Sequence, residues 1–188
     1  PTPMSEKPRP PETGLVNFFT EILPLLKGLR DAAVVEMDDD RMHEYRDYFS
    51  EHGFSFEHLT VEKLNVIRAE RGLDPYHHPL GENLLYVGRD AALARRLMEC
   101  DCANDLRAVG LLLGYPPCCV AMFFARGIQS VDATLFKQRF PLLPYMPCSL
   151  HCEASLKYEM RLRRVIEEYE REHNVQDAPP AGPGGDAP

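Results

Sequence analysis

The amino-acid sequence predicts a predominantly helical α+β fold with at most a small sheet. Along most of the chain, apolar residues recur at steps of three and four between capping residues and glycines, which is typical of amphipathic helices. Two short apolar runs, at 32–37 and 84–87, have instead the length and composition of buried strands. The charged stretch 149–173 carries an apolar stripe with the same steps of three and four, which predicts a long C-terminal helix.

The first half of the chain is predicted to contain helices on both sides of the first strand. Residues 15–26 are apolar and predict a helix that breaks near Pro24, because proline removes a helical hydrogen bond. Three aspartates at 38–40 are predicted to cap the next helix, and Thr60 to cap the one after it. A glycine follows each of these two helices, as is typical of helix ends.

The second half of the chain predicts a succession of helices after the second strand. Gly114 and Gly127 provide stop signals for two of them. The predicted helices cover residues 89–98, 104–113, 118–126, 131–139 and 149–173.

Residues 14–174 are predicted to form one globular domain between two proline-rich ends. A chain of 188 residues is long enough for one domain with a substantial core, and an apolar content of 44% is ordinary for a globular protein. Residues 1–13 are rich in proline, and residues 175–188 are rich in proline and glycine. Because neither composition can bury enough apolar surface to offset the entropy lost on folding, both ends are predicted to be disordered.

Charge and hydropathy argue against two classes of partner. The net charge of −8 argues against a broad electrostatic surface for nucleic acid. No apolar run approaches the roughly 20 residues that span a bilayer, and the first residues lack the apolar segment of a secretory signal. The sequence therefore predicts a cytoplasmic protein with no membrane or nucleic-acid partner, and it indicates no particular small molecule or protein.

The most informative motifs are two cysteine clusters, GYPPCC at 114–119 and PCSLHC at 147–152. Clustered cysteines in a protein without an export signal are more typical of metal binding or redox chemistry than of disulfides. Each cluster starts beside a proline and precedes helix-like sequence, so the thiols are predicted at or near two helix N-termini. The partial positive charge at that end of a helix favours thiolate over thiol.

Four convergent thiolates predict a metal centre, with an iron–sulfur cluster as the first choice and zinc as the second. The spacing matches neither the paired C-x₂-C of a zinc ribbon nor a ferredoxin run. Two alternatives stay open: a metal-free thiol–disulfide oxidoreductase, and a helical interaction module whose cysteines only pack in the core. The predicted metal ligands are Cys118, Cys119, Cys148 and Cys152.

Two residues beside the thiols are candidates for proton transfer if the centre performs sulfur or redox chemistry. Tyr115 precedes the first pair of cysteines, and His151 lies inside the second cluster, where it could also ligate a metal. Cys100 and Cys102 could form a second ligand pair or a resolving dithiol, but their acidic neighbours favour the interpretation as a helix end.

At these residues the chain resembles an uncharacterised prokaryotic family. Its signature is Gly-Tyr-Pro-x-Cys-Cys with an aromatic residue shortly after, followed by Pro-Cys-Ser-x-x-Cys-x-x-Ser, which correspond here to residues 114–124 and 147–155. The similarity extends upstream through 84–88 and 106–113. The resemblance implies that the four cysteines act as a set, and it supplies no substrate, reaction or cofactor.

Overall fold

The structure is a computed structural model that describes residues 18–76, 81–126 and 133–174. A π-helical turn at Phe18–Ile22 leads into the first α-helix, and a 3₁₀ turn at Asp39–Arg41 precedes the second. In this described part the strands are β1 (Ala32–Met37), β2 (Ser55–Thr60) and β3 (Asn83–Gly88). The α-helices there are α1 (Leu23–Leu26), α2 (Met42–Glu51), α3 (Val61–Glu70), α4 (Ala91–Cys102), α5 (Leu106–Leu112), α6 (Pro117–Arg126), α7 (Ala133–Arg139) and α8 (Glu153–Asn174).

These elements confirm the predominantly helical α+β fold with a small sheet and a long C-terminal helix. The predicted disordered ends, 1–13 and 175–188, lie outside the described residues, and the single-domain prediction stays a prediction. No helix among the described residues combines the length and the apolar character that crossing a bilayer requires.

The three strands form an antiparallel sheet in the order β1-β3-β2. Ala32 of β1 and Ser55 of β2 both pair with Gly88, so the two outer strands run parallel to each other on opposite sides of β3. The sequence predicted β1 and β3 but not β2. The reason is that β2 offers one apolar side chain to each face, Phe56 and Leu59, and two residues three apart give no alternating pattern.

The central strand β3 separates two hydrophobic cores. Successive side chains of a strand point to opposite faces, so Leu85 and Val87 enter one core while Leu84 and Tyr86 enter the other. The first core is completed by α1 and α2, and the second by α3, α4 and α5. All six residues of β3 are buried, because both faces of the sheet are covered.

Helix starts follow the capping rules in some places and depart from them in others. Thr60 caps α3 as predicted, since its hydroxyl accepts a hydrogen bond from the Lys63 N–H at 3.1 Å. The aspartates 38–40 do not cap α2: its N-cap position is Arg41, which makes no side-chain cap hydrogen bond. Pro24 lies in the first turn of α1, just after the change from π-helical to α-helical geometry, where the missing N–H costs little.

The long helix α8 packs against the N-terminal end of the described chain. Its buried face includes Tyr158 and Leu162. The buried Arg30 donates from Nε to the Tyr158 hydroxyl at 2.9 Å and from its terminal nitrogen to the Thr20 carbonyl at 2.7 Å. This arginine therefore connects the first helical turn to the last helix.

Candidate metal centre

The first cysteine cluster lies in the first turn of α6, as the sequence predicted. The Val120 N–H donates to the Pro116 carbonyl at 3.1 Å, which makes Pro116 the N-cap and Pro117 the first helical residue. Proline is favoured there because its missing N–H has no helical partner to lose. Cys118 is exposed and Cys119 is buried, so the two neighbouring thiols differ in their access to solvent.

The second cysteine cluster forms a turn in front of α8. The helix was predicted to begin at Ser149, but the first helical hydrogen bond runs from the Leu156 N–H to the Cys152 carbonyl at 2.9 Å. The Ser149 hydroxyl accepts from the His151 N–H at 3.3 Å, a local bond that competes with helix formation. Cys148 and Cys152 are therefore held by a turn and a helix cap rather than by one helical face.

The two clusters converge at the N-termini of α6 and α8. The Cys119 and Cys152 sulfurs are 3.5 Å apart, and the Cys118 sulfur lies 3.9 Å from each of them. Together with Cys148, all four sulfurs lie within 4.8 Å of one another. A tetrahedral ion with metal–sulfur bonds of about 2.3 Å holds its sulfurs about 3.8 Å apart. The four cysteines are therefore placed to hold a metal ion.

Hydrogen-bond donors surround the buried sulfur of Cys119. The Cys148 N–H donates to it at 3.3 Å, and the Ser155 hydroxyl lies at 3.3 Å. Ser155 is fully buried and accepts a hydrogen bond from the Tyr145 hydroxyl at 3.4 Å, which leaves its own proton available for the sulfur. Such donors stabilise negative charge on a ligand sulfur and fix its orientation.

The same surroundings separate the pKa values of the thiols. Burial alone would raise the pKa of Cys152, but hydrogen bonds from Ser155 and from the Cys148 and Cys119 thiols lower it to about 6. Burial raises the pKa of Cys119 above its usual range, and burial together with the neighbouring thiols raises the pKa of Cys148 to about 11. A cation that binds here therefore has to displace protons from Cys119 and Cys148, whereas the pKa of Cys152 favours a thiolate at neutral pH.

The function of this chain has to be inferred from the geometry of the site. No family model, no curated protein and no solved structure matches the chain. The resemblance to the uncharacterised prokaryotic family therefore stays a prediction. The convergence of the four sulfurs, by contrast, is an observation of the structure.

The two candidates for proton transfer lie differently with respect to the sulfurs. The Tyr115 ring packs against Tyr145 at 4.6 Å and under the Arg30 guanidinium at 5.8 Å, and burial raises the pKa of its hydroxyl. The side chain of His151 is exposed in the turn. Among the described residues, the group of clustered ligand atoms contains the four sulfurs and not His151. Their proposed roles in proton transfer stay predictions.

Sequence reasoning missed Tyr145 and gave no role to Ser155. The Ser155 hydroxyl contacts the buried Cys119 sulfur, and the Tyr145 hydroxyl donates to Ser155. Ser155 follows Cys152 by three residues at the start of α8, a spacing that places both on one side of the helix. That spacing was the available signal. Tyr145 lies in an irregular segment, so its approach depends on the tertiary fold.

The remaining two cysteines lie apart from the metal-ligand group. Cys102 is the last residue of α4 and packs in the second core beside Leu97 and Leu113. Burial, with Asp101 as a second cause, raises the pKa of the Cys102 thiol. Both features agree with the helix-end interpretation of Cys100 and Cys102.

Proposed function

We propose that this protein binds a single metal ion through its four clustered cysteines, and that the ion is zinc. The observation that carries the proposal is the set of sulfur separations, 3.5 and 3.9 Å among Cys118, Cys119 and Cys152 and at most 4.8 Å among all four. These distances are close to the edge of about 3.8 Å that a tetrahedral zinc–thiolate site requires. The four ligands are Cys118, Cys119, Cys148 and Cys152.

The separations favour one ion over the iron–sulfur cluster that ranked first from the sequence. A cubane cluster attaches each cysteine to a different iron, so its ligand sulfurs lie around the outside of a multi-atom core and are held much farther apart. Four thiolates around one divalent cation leave a net negative charge. The N-termini of α6 and α8, the Cys148 N–H and the Ser155 hydroxyl supply the compensating partial positive charge.

Unequal exposure of the ligands gives the centre one reactive side. Cys119 and Cys152 are buried, Cys148 is half-buried and Cys118 is exposed. An oxidant, an electrophile or a competing metal-binding molecule therefore reaches Cys118 first. We assign to this sulfur any redox or sulfur chemistry that the centre performs.

Elemental analysis of the full chain, purified without oxygen, tests the proposal. We expect one zinc ion per chain and no acid-labile sulfide. Cobalt(II) exchanged into the site is expected to show the strong visible absorption of tetrahedral thiolate coordination. Cys119→Ser should lose the metal, whereas Cys100→Ser, which changes a half-buried cysteine outside the group, should retain it.

Two results would contradict this proposal. Several irons per chain together with acid-labile sulfide would replace the single ion by a cluster. Absence of any bound metal, with no cobalt spectrum after reconstitution, would remove the metal centre altogether.

A thiol–disulfide oxidoreductase is the second candidate, favoured by the 3.5 Å separation between the sulfurs of Cys119 and Cys152. The lowered pKa of Cys152, about 6, also favours a thiolate. Disulfide exchange needs an accessible attacking sulfur, however, and both of these are buried. A metal-free protein that gains two titratable thiols on reduction would support this candidate.

We place the protein in the cytoplasm as part of the same proposal. All six cysteines are free, and metal binding needs them reduced. A reducing compartment keeps thiols in that state.

A further inference from the structure

An apolar pocket lies beside the sulfur cluster, between α5, α6 and the segment 144–146. Its volume is about 290 Å³. Since a water molecule occupies about 30 Å³ in the liquid, this space is large enough for a fused two-ring molecule. Val109 on α5 and Val120 on α6 form its inner walls, while the Cys119 residue of the sulfur cluster borders one side.

The chemistry of the walls excludes a charged occupant. None of the described residues that line the pocket is an aspartate, glutamate, lysine, arginine or histidine. An anion that entered would lose its hydration beside the sulfur cluster without gaining a cationic partner, which is strongly unfavourable. A cation would meet only sulfur charge that the helix N-termini, the Cys148 N–H and the Ser155 hydroxyl already compensate. The occupant that fits is therefore uncharged.

Aromatic side chains favour a planar, unsaturated occupant. Tyr115 and Tyr145 form a ring pair with centroids 4.6 Å apart on one side of the pocket. Phe123 and Phe124 meet edge to face at 5.3 Å on another side. Rings attract one another in offset and edge-to-face arrangements, and the flexible Met146 can adapt to the shape of a ligand.

Folding leaves part of this apolar surface in water. Phe123 is 36% exposed, Phe124 47% and Leu106, on the same rim, 43%. Covering apolar surface is favourable by roughly 25 cal/mol per Å². A bound ring that reaches the rim would remove this surface from water, which the described residues of the chain do not do.

We propose that this pocket is a binding site for a small, uncharged aromatic molecule. The site is distinct from the metal centre, and its existence does not depend on which metal the cysteines hold. Because Cys119 and Tyr145 border both, the occupant would lie directly against one of the sulfur ligands and against the hydroxyl network behind it.

Fluorescence of the uncharged dye N-phenyl-1-naphthylamine, added to the full chain, tests the proposal. We expect the emission to increase and saturate at one dye per chain. 2-Naphthol should displace the dye. Naphthalene-2-sulfonate has the same ring system with a negative charge and should displace it at least tenfold less effectively.

Three variants locate the binding site. Val109→Phe places a larger side chain into the pocket and should weaken dye binding at least tenfold. Leu111→Phe is the matched control, because Leu111 lies on the same helix but is 46% exposed and does not line the pocket. Phe124→Ala removes rim surface without touching the buried core and should weaken binding severalfold. Circular dichroism and metal content show whether each variant is folded.

Several outcomes would overturn the proposal. The first is that the folded wild-type protein gives no increase in dye emission. The second is that folded Val109→Phe and Leu111→Phe proteins bind the dye with equal affinity. The third is that the sulfonate and the naphthol displace the dye equally well. Loss of dye binding as the protein associates at higher concentration, measured by analytical ultracentrifugation, would assign the face to a second copy of the chain instead.

Discussion

Two regions of this molecule differ in how they bury their apolar side chains: the sheet region, which is β1–β3 with α1–α4, and the cysteine region, which is α5, α6 and the start of α8. In β3, Leu84, Leu85, Tyr86 and Val87 are all fully buried, between helices on both faces. In the cysteine region, Phe124 and Leu106 are nearly half exposed, while four thiols occupy the point where α6 and α8 meet. The first region is closed by strand pairing and packed side chains, whereas the second region brings together four thiols that could hold a metal ion.

Polar groups show the same contrast. The buried Tyr86 donates to Asp101 at 2.6 Å, and the buried Arg68 donates to the Asn104 side chain at 2.9 Å, so the polar groups of the sheet region satisfy one another. The buried thiols of the cysteine region have weak sulfur contacts, the Cys148 N–H and the Ser155 hydroxyl as partners. A cation bound between them would supply the strong interaction that this region lacks.

If the cysteines hold zinc as proposed, removing it is expected to have the largest effect and to act on the cysteine region. A ligand present at a thousand times its dissociation constant stabilises the folded state by about 4 kcal/mol. After chelation, amide hydrogens at the starts of α6 and α8 should exchange much faster, while those of β1 and β3 keep their protection. Hydrogen-exchange mass spectrometry measures both regions at once. Equal loss of protection in the sheet would show that the two regions do not differ in this respect.

The next largest effect is expected from creating a cavity in the sheet region. The resulting loss of stability should not depend on whether metal is bound. Leu85→Ala removes a fully buried side chain from β3 and is expected to cost about 3 kcal/mol in the free energy of unfolding. Urea denaturation should give the same loss with and without the metal. Leu111→Ala, at a leucine that is 46% exposed, is the control and should change stability by less than about 0.5 kcal/mol.

Loss of the Ser155 hydroxyl should weaken metal binding without a comparable effect on the sheet. Ser155→Ala removes the hydroxyl beside Cys119 and is expected to lower metal affinity about 10–100-fold. Tyr145→Phe should have a smaller effect, because the Tyr145 hydroxyl donates to Ser155 rather than to the sulfur itself. Competition with a metallochromic chelator measures both. Unchanged affinity in the folded Ser155→Ala protein would show that the hydroxyl serves packing only.

The smallest predicted effect concerns a helix cap in the sheet region. Thr60→Ala removes the acceptor for the Lys63 N–H and should cost about 1 kcal/mol, whereas Thr60→Ser keeps a hydroxyl and most of the stability. Thermal denaturation of both variants, in metal-loaded and metal-free protein, checks the value. A loss that depends on the metal would indicate that α3 is coupled to the cysteine region.

Sequence reasoning succeeded where a signal is local and repeated. The apolar run of β3 and the apolar stripe of α8 each extend over several residues, so both elements were predicted. The proline at the start of α6 also gave the position of the first thiol pair, because a preference for the first helical position acts within one turn.

The errors concern features that depend on contacts between distant residues. Strand β2 forms because β3 pairs with it, although its own sequence does not alternate. The start of α8 was placed four residues too early, since a local bond at Ser149 and the approach of the first cluster hold the second cluster in a turn. Likewise, the role of Tyr145 follows from the fold and not from its neighbours in sequence.

The bond between Arg30 and Tyr158 has a consequence for the order of folding. These residues are 128 positions apart in sequence, and contacts of such separation slow folding because a long loop must close before they form. The last strand ends at Gly88, so all three strands are synthesised well before Tyr158, and until then the buried Arg30 has no tyrosine partner. The Arg30–Tyr158 bond and the Cys119–Cys152 contact both need α8, so neither can form until that helix has been synthesised.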